Sequence, residues 1–215
     1  MFRKRNFREG EFDRGPEFPL PPPSQRGAMS LEESVARRRS VRRYKGEPLS
    51  LSQLSQVLWS AQGITHAEGL RAAPSAGATY PLEVYVFVGR GGVEGLEAAI
   101  YHYNVENHSL CRHKEGDFRQ QLSTAALDQE FIAQAPVDIV ICGLYERTAW
   151  QYGRRAERYV HMEAGHVGGN IHLQAVALGL AAVMVGAFSD EDVSRVMNLE
   201  REVKPLYIIP LGKPR

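Results

Sequence analysis

The chain has 215 residues, 43% of them hydrophobic and 24% charged, and a formal net charge of +1. That length suits one sizeable core, or at most two small ones, and one domain is the better fit. A charge so close to neutral excludes a whole-chain attraction to nucleic acid or other polyanions, so basic character here is local. Two cysteines, Cys111 and Cys142, stand in no metal-ligand or redox spacing, which fits reduced thiols in a reducing compartment. No apolar run is long enough to cross a bilayer, and none follows the N-terminal arginines. A cytoplasmic protein without membrane contact is expected.

Residues 1–29 carry Arg3-Lys4-Arg5, scattered acids and the run Pro19-Leu20-Pro21-Pro22-Pro23. Such a composition favours extended polyproline geometry and buries little. It is read as an arm, suited to wrapping over a partner subunit, ahead of a domain over residues 30–215. Phe2, Phe7, Phe12 and Phe18 alternate with basic residues, but Glu9, Glu11, Asp13 and Glu17 dilute the pattern, and no nucleic-acid partner is expected.

Ser30-Leu31-Glu32-Glu33 predicts a helix start, with Ser30 as N-cap and Glu33 as its capping-box partner. Arg37-Arg38-Arg39 then falls in the last turn, and the chain continues as Ser40-Val41-Arg42-Arg43-Tyr44. This segment has two readings. Cations at a helix C-terminus are favoured by the helix dipole with no ligand present. Arginines around a serine also supply forked N–H donors and an O–H to a phosphate dianion.

Apolar residues at 51, 54, 57 and 58 share one helical face, predicting a second amphipathic helix that ends near Gly63. Ala72-Ala73-Pro74-Ser75-Ala76-Gly77-Ala78-Thr79-Tyr80-Pro81 follows, small residues bracketed by prolines that let a backbone approach a flat ligand. Strands are predicted over 83–88 and 98–103, with a turn over 104–107. One or two short helices over 118–134 precede Pro136, and 137–142 reads as a buried central strand.

Residues 154–180 predict one long helix, apolar around most of its circumference and so buried in a core or an interface. Gly165, Gly168 and Gly169 would each cost about 1 kcal/mol there, which close packing of another backbone would offset. A strand over 181–188 through Gly186, a Ser189-capped helix to about Met197 and a strand over 206–211 complete the chain. Pro210 places that last strand at an edge or near its end. The mixture indicates an α+β fold or a sheet layered with helices.

Three histidines on the long helix, His161, His166 and His172, have no i,i+3 or i,i+4 pair and make no metal site. Ser75 lies in no nucleophile elbow. Gly89-Arg90-Gly91-Gly92 follows a strand but lacks the third glycine and the downstream acid of a dinucleotide motif.

Four segments carry a resemblance. Arg38-Arg39-Ser40-Val41-Arg42-Arg43-Tyr44, Pro74-Ser75-Ala76-Gly77-Ala78-Thr79-Tyr80-Pro81-Leu82-Glu83, Glu163-Ala164-Gly165-His166 with Asn170 and Leu178-Gly179-Leu180, and Val185-Gly186-Ala187 resemble ordered motifs of the nitroreductase superfamily. Within it, the SagB-type or thiazole-oxidase-type dehydrogenases are the branch they resemble. The resemblance runs from about Leu31 to the C-terminus. It implies an α+β fold with a central, mostly antiparallel sheet flanked by helices, working as an intertwined homodimer with FMN at the subunit interface. It implies that Arg38, Ser40 and Arg42 hold the flavin phosphate, with Arg39 in the same motif and Lys213 joining from beyond the last strand. Ser75, Ala76 and Gly77 would lie against the isoalloxazine, often from the other subunit. Gly186, next to Val185, would turn its N–H toward flavin N5.

The implied activity is hydride exchange between a donor, NADH or NADPH among them, and a small organic or ring-containing substrate. In this picture the protein places the flavin and the cofactor supplies the redox chemistry. Azoline-oxidising members of the branch share a Lys-Tyr pair before the long helix, whereas this chain has Gln151-Tyr152. Glutamine is no general base, which counts against azoline oxidation and leaves Tyr152 as a proton donor or a cover for the flavin edge. Alternatives are a SagB-type azoline dehydrogenase in peptide modification, or a flavin-binding scaffold partner without turnover.

Overall fold

Alternating apolar residues in the strands feed two layers of helices, one on each face of a single sheet. The computed structural model describes residues 16–215. Among these the strands are β1 (Glu17–Pro19), β2 (Leu82–Val88), β3 (Ala99–Asn104), β4 (Ser109–Glu115), β5 (Val137–Leu144), β6 (Ala181–Ala182) and β7 (Val203–Gly212). They form one sheet in the order β1-β4-β3-β2-β5-β7-β6, and each pairing between them is antiparallel. The helices are α1 (Leu31–Arg37), α2 (Leu51–Gln62), α3 (Arg119–Ala125), α4 (Glu130–Gln134), α5 (Glu146–Tyr152), α6 (Ala156–Ala177) and α7 (Asp190–Met197). The expected α+β architecture, an antiparallel sheet flanked by helices, is the one observed.

Strand periodicity explains the layering. Val84, Val86, Val88, Ile139 and Ile141 face α2 and α6, meeting Leu54, Leu58, Val167 and Ile171. Tyr85, Phe87, Val140 and Cys142 point the other way, onto Leu122, Ile132, Val193 and Met197 of α3, α4 and α7. Buried on both faces, β5 is an apolar run interrupted by the acid Asp138. No helix among the described residues is long and apolar enough to cross a membrane.

Local signals account for the helix ends. Ser30, Ser50 and Ser189 each accept a backbone N–H three residues on, and Gln53 completes a capping box with Ser50. Pro210 sits in the gap between the short β6 and the Val185–Ile208 bridge, and the Tyr44 hydroxyl donates to its carbonyl at 3.3 Å.

Several expectations need correction. The strand expected over 181–188 is only Ala181–Ala182, because the chain leaves β7 and returns for a single two-bond bridge at Val185. Three elements were not anticipated, β1, β4 and α5. Within the single chain the long helix is covered on one side only, with Met162 54% exposed and nothing within 4 Å of a Cβ on Gly165 or Gly169, so the chain's own core accounts for part of its apolar surface. Only Gly168 of that trio is packed closely within the chain, and against the Met184 side chain rather than a backbone.

Of the segment read as an arm, residues 1–15, with Phe2, Phe7 and Phe12, lie outside the described residues. β1 pairs with β4, Phe18 stands edge-on to Tyr101 at 5.7 Å, and the Ser55 hydroxyl donates to the Pro21 carbonyl at 2.6 Å.

Candidate functional site

The arginine segment divides its labour. Arg37 pairs with Glu33 one turn back on α1. Arg39 donates from Nη1 to the carbonyls of Ala36 and Arg38, at 3.1 and 2.7 Å, so it caps the end of α1 as the dipole argument requires. Arg38 is half-buried, while Ser40 and Arg42 are exposed, Arg42 with its guanidinium 5.6 Å from the centre of the Phe131 ring. The helix-end reading thus holds for Arg37 and Arg39.

Backbone pairing gathers distant residues around this segment. Val41 N–H bonds the Ala182 carbonyl at 3.1 Å, which sets residues 40–42 beside the chain that runs to Val185 and Gly186. Lys45 N–H bonds the Lys213 carbonyl at 2.9 Å, and the Lys213 ammonium lies 3.0 Å from the exposed Glu47 carboxylate. That contact holds the Glu47 carboxyl below its usual value. The arginine segment is therefore tied on one side to the chain leaving β6 toward Val185 and Gly186, and on the other to the end of β7 at Lys213.

Ser75, Ala76 and Gly77 belong to a second group. Gly77 has φ +59°, and Ala78 and Tyr80 are also left-handed, so three of four consecutive residues hold a conformation costly for side-chain-bearing residues. A Cβ on Gly77 would stand 2.7 Å from both the Tyr152 hydroxyl and the Gln151 carboxamide oxygen. The loop is thus clamped against the end of α5. There the Gln151 amide donates to the Tyr152 oxygen at 3.3 Å, leaving the phenolic proton to point elsewhere. Tyr159 packs edge-on against the Tyr152 ring at 5.0 Å.

Helix α6 connects the two groups. Glu163, buried, lies against Ser75; His172, also buried, bonds the Arg39 carbonyl through Nε2 at 3.0 Å. Nine residues of helix separate them, about 13 Å along the axis. Burial pushes the Glu163 carboxyl up to about 7, against the Ser75 hydroxyl, the Gln62 amide and the Arg71 charge, which favour its ionised form. Neither Glu163 Oε1 nor Gln62 Nε2 closes a hydrogen bond of good geometry. Burial also depresses the His172 imidazole, with the Arg38 charge adding to the effect and the Arg39 and Ala182 carbonyls opposing it.

Sequence reasoning assigned no role to Glu163, although it heads a quoted motif; its signal was an acid among Val160, Ala164 and Val167 on the buried face of a helix. It also missed an open cleft of about 590 Å³ at the start of α6, lined by Arg154, Glu157, Arg158, His161 and Met162. His161 Nε2 lies 2.7 Å from the Tyr145 hydroxyl. No group of three His, Cys, Asp or Glu side chains among the described residues is placed to hold a metal ion.

A model of the nitroreductase family matches residues 35–213 of the chain. MJ1384 of Methanocaldococcus jannaschii, a protein named as a candidate nitroreductase, is 45% identical over 185 residues, covering 86% of this chain and 91% of its own. The microcin B17-processing protein McbC of Escherichia coli is 30% identical over 146 residues, 64% of this chain and 52% of McbC, so the chain spans about half of that relative. A Ralstonia eutropha JMP134 protein solved as a candidate nitroreductase superposes with a TM-score of 0.81 at 27% identity, over 96% of this chain and 92% of that one.

Proposed function

We propose that this chain, which belongs to the nitroreductase family of oxidoreductases, binds FMN and passes hydride through it between a donor such as NADH or NADPH and a small organic or ring-containing substrate. The observation that supports this reading is that two backbone bonds, Val41–Ala182 and Lys45–Lys213, tie the arginine segment both to the chain that leads to Gly186 and to the end of β7 that carries Lys213. Three cations and a hydroxyl from two ends of the chain suit a phosphate dianion. Gly186 supports the same reading from the other side. Its φ is not left-handed, and a Cβ there would meet only the Tyr207 ring, at an ordinary 3.8 Å, so nothing in the chain itself demands glycine. A flat ligand lying on the backbone would.

FMN bound there would supply the two-electron carrier that hydride chemistry needs. The protein's part is placement: Arg38, Ser40 and Arg42 grip the phosphate, with Lys213 leaving Glu47 to join them. Val185, bonded to Ile208 in both directions, fixes the backbone next to Gly186, which would meet the flavin. The 75–77 loop, followed by the left-handed Ala78 and Tyr80, offers a small-residue surface, and Tyr152, its oxygen already accepting from Gln151, presents its proton to substrate.

The arrangement favours a homodimer. The phosphate group and the 75–77 loop are anchored nine residues apart on α6, and the face around them exposes Met162, Gly165, Leu31 and Val35. A second copy covering that face would bring its own loop to this chain's phosphate group. Purified protein is expected to be yellow, to bleach under a reductant and to run as a dimer in sedimentation; a colourless chain that takes up no added FMN overturns the reading.

A second reading, a SagB-type dehydrogenase acting on a peptide heterocycle, is favoured by the similarity to McbC, named as a processing protein. Gln151 argues against it unless another group takes the proton. Anaerobic mixing separates the readings: flavin reduction by NADH or NADPH supports the reductase, and a flavin that neither reduces supports a peptide dehydrogenase or a flavin-binding scaffold partner.

A further inference from the structure

Glu163 is an acid in a place where acids are costly, and the proposed reaction has a use for it. The side chain is 2% exposed, and Oε1 is buried without a hydrogen-bond partner. Half-buried Ser75 brings its hydroxyl to the same carboxyl. Ser75 Oγ accepts the Tyr80 N–H at 2.9 Å, which leaves its own proton for the carboxylate. From α2, Gln62 turns its amide toward Glu163, its oxygen being held by Arg71 Nη1 at 3.1 Å. Arg71 is the charge that acts on Glu163; it stacks on Tyr80 at 4.5 Å and is itself acted on by Glu83, Arg147 and Glu106. A buried carboxyl thus meets the hydroxyl of a half-buried residue two positions before the exposed Gly77.

We propose that Glu163 is the proton store of the site, exchanging a proton with bound substrate through the Ser75 hydroxyl. This rests on the oxidoreductase reading above. In the oxidative direction a substrate O–H or N–H bond breaks and its proton goes to Ser75 Oγ, while Ser75 gives its own proton to the Glu163 carboxylate. A flavin bound there would take the substrate's other hydrogen together with its electron pair, so the substrate loses one hydride and one proton, the proton goes to Glu163, and the substrate gains a double bond. Reduction runs the same path backwards. Ser75 touches the substrate and Glu163 acts through it, doing at neutral pH what Gln151 cannot. A carboxyl raised to about 7 offers both forms there.

Infrared titration of the flavin-free chain between pH 5 and 9 tests the store directly. A carboxylic-acid band should disappear as pH rises through about 7, be missing in Glu163→Gln, titrate higher in Ser75→Ala for want of a donor to the ionised form, and return to the wild-type midpoint in Ser75→Thr. With FMN bound, NADH as donor and benzoquinone as acceptor, Glu163→Gln should lose the near-neutral limb of the pH–rate profile and roughly 100-fold in rate, and Ser75→Thr should recover what Ser75→Ala loses. A band unchanged by Glu163→Gln, or a variant that keeps the limb, overturns the proposal. A chain that binds no FMN overturns the cofactor reading instead, and the infrared result still decides the fate of Glu163 and Ser75.

Discussion

His172 Nε2 donates to the Arg39 carbonyl at 3.0 Å, so the longest helix holds the arginine segment by its backbone rather than through the Arg38 and Arg42 guanidinium groups. A carbonyl acceptor requires the proton on Nε2, and burial keeps the ring neutral. Its folded pKa is therefore depressed, and the sign of the linkage follows: the stability it contributes is present above the unfolded value near 6.5 and is lost as pH falls toward the folded one. His108 and His113 are depressed by burial too and add in the same direction. Urea melts should show stability falling below about pH 6.5, with a shallower fall in His172→Gln. His172→Ala should cost about 1–3 kcal/mol at neutral pH by stranding the Arg39 carbonyl.

Arginines in one motif should differ in effect. Arg38→Ala or Arg42→Ala is expected to weaken FMN retention about 10- to 100-fold, the worth of one charge-assisted hydrogen bond. Arg39→Ala should instead leave retention within about threefold and lower stability by about 0.5–1 kcal/mol, because its guanidinium serves the end of α1. Flavin fluorescence titrations beside thermal melts distinguish the two patterns.

Two glycines offer a matched contrast. Gly77→Ala forces a side chain onto φ +59° and into Tyr152, and should destabilise the chain by about 1–2 kcal/mol without any ligand. Gly186→Ala has room in the chain and should leave flavin-free stability within about 0.5 kcal/mol, yet reduce FMN binding. Equal behaviour of the two in melts and flavin titrations would remove the argument drawn from Gly186.

Asp138, on the most buried strand, has neither carboxylate oxygen hydrogen-bonded, and burial raises its pKa well above the ordinary range. A raised folded value means stability is present at low pH and lost as pH climbs through it. Asp138→Val, which suits a strand buried on both faces, should stabilise the chain by about 1–3 kcal/mol and flatten the alkaline side of its stability profile in denaturant melts.

The chain's local chemistry determined much of this on its own. Caps at Ser30, Ser50 and Ser189, the alternation over β2 and the apolar run of β5 act through neighbours within a turn or a few residues, so they are legible in order along the sequence. The four ordered motifs also identified the segments of the candidate site. β4 was not legible, because Arg112, His113 and Lys114 look like a surface loop; they suit a strand only because α7 brings the Met197 and Val196 carbonyls to His113 and Lys114. Tertiary structure alone decided that Lys213 meets residues near 45, that Arg39 serves its own helix while Arg38 and Arg42 do not, and that Glu163 lies under Ser75. Each is a matter of which distant backbone supplies a partner and where water is excluded, and burial of that kind arises only when separate parts of the chain close over one another.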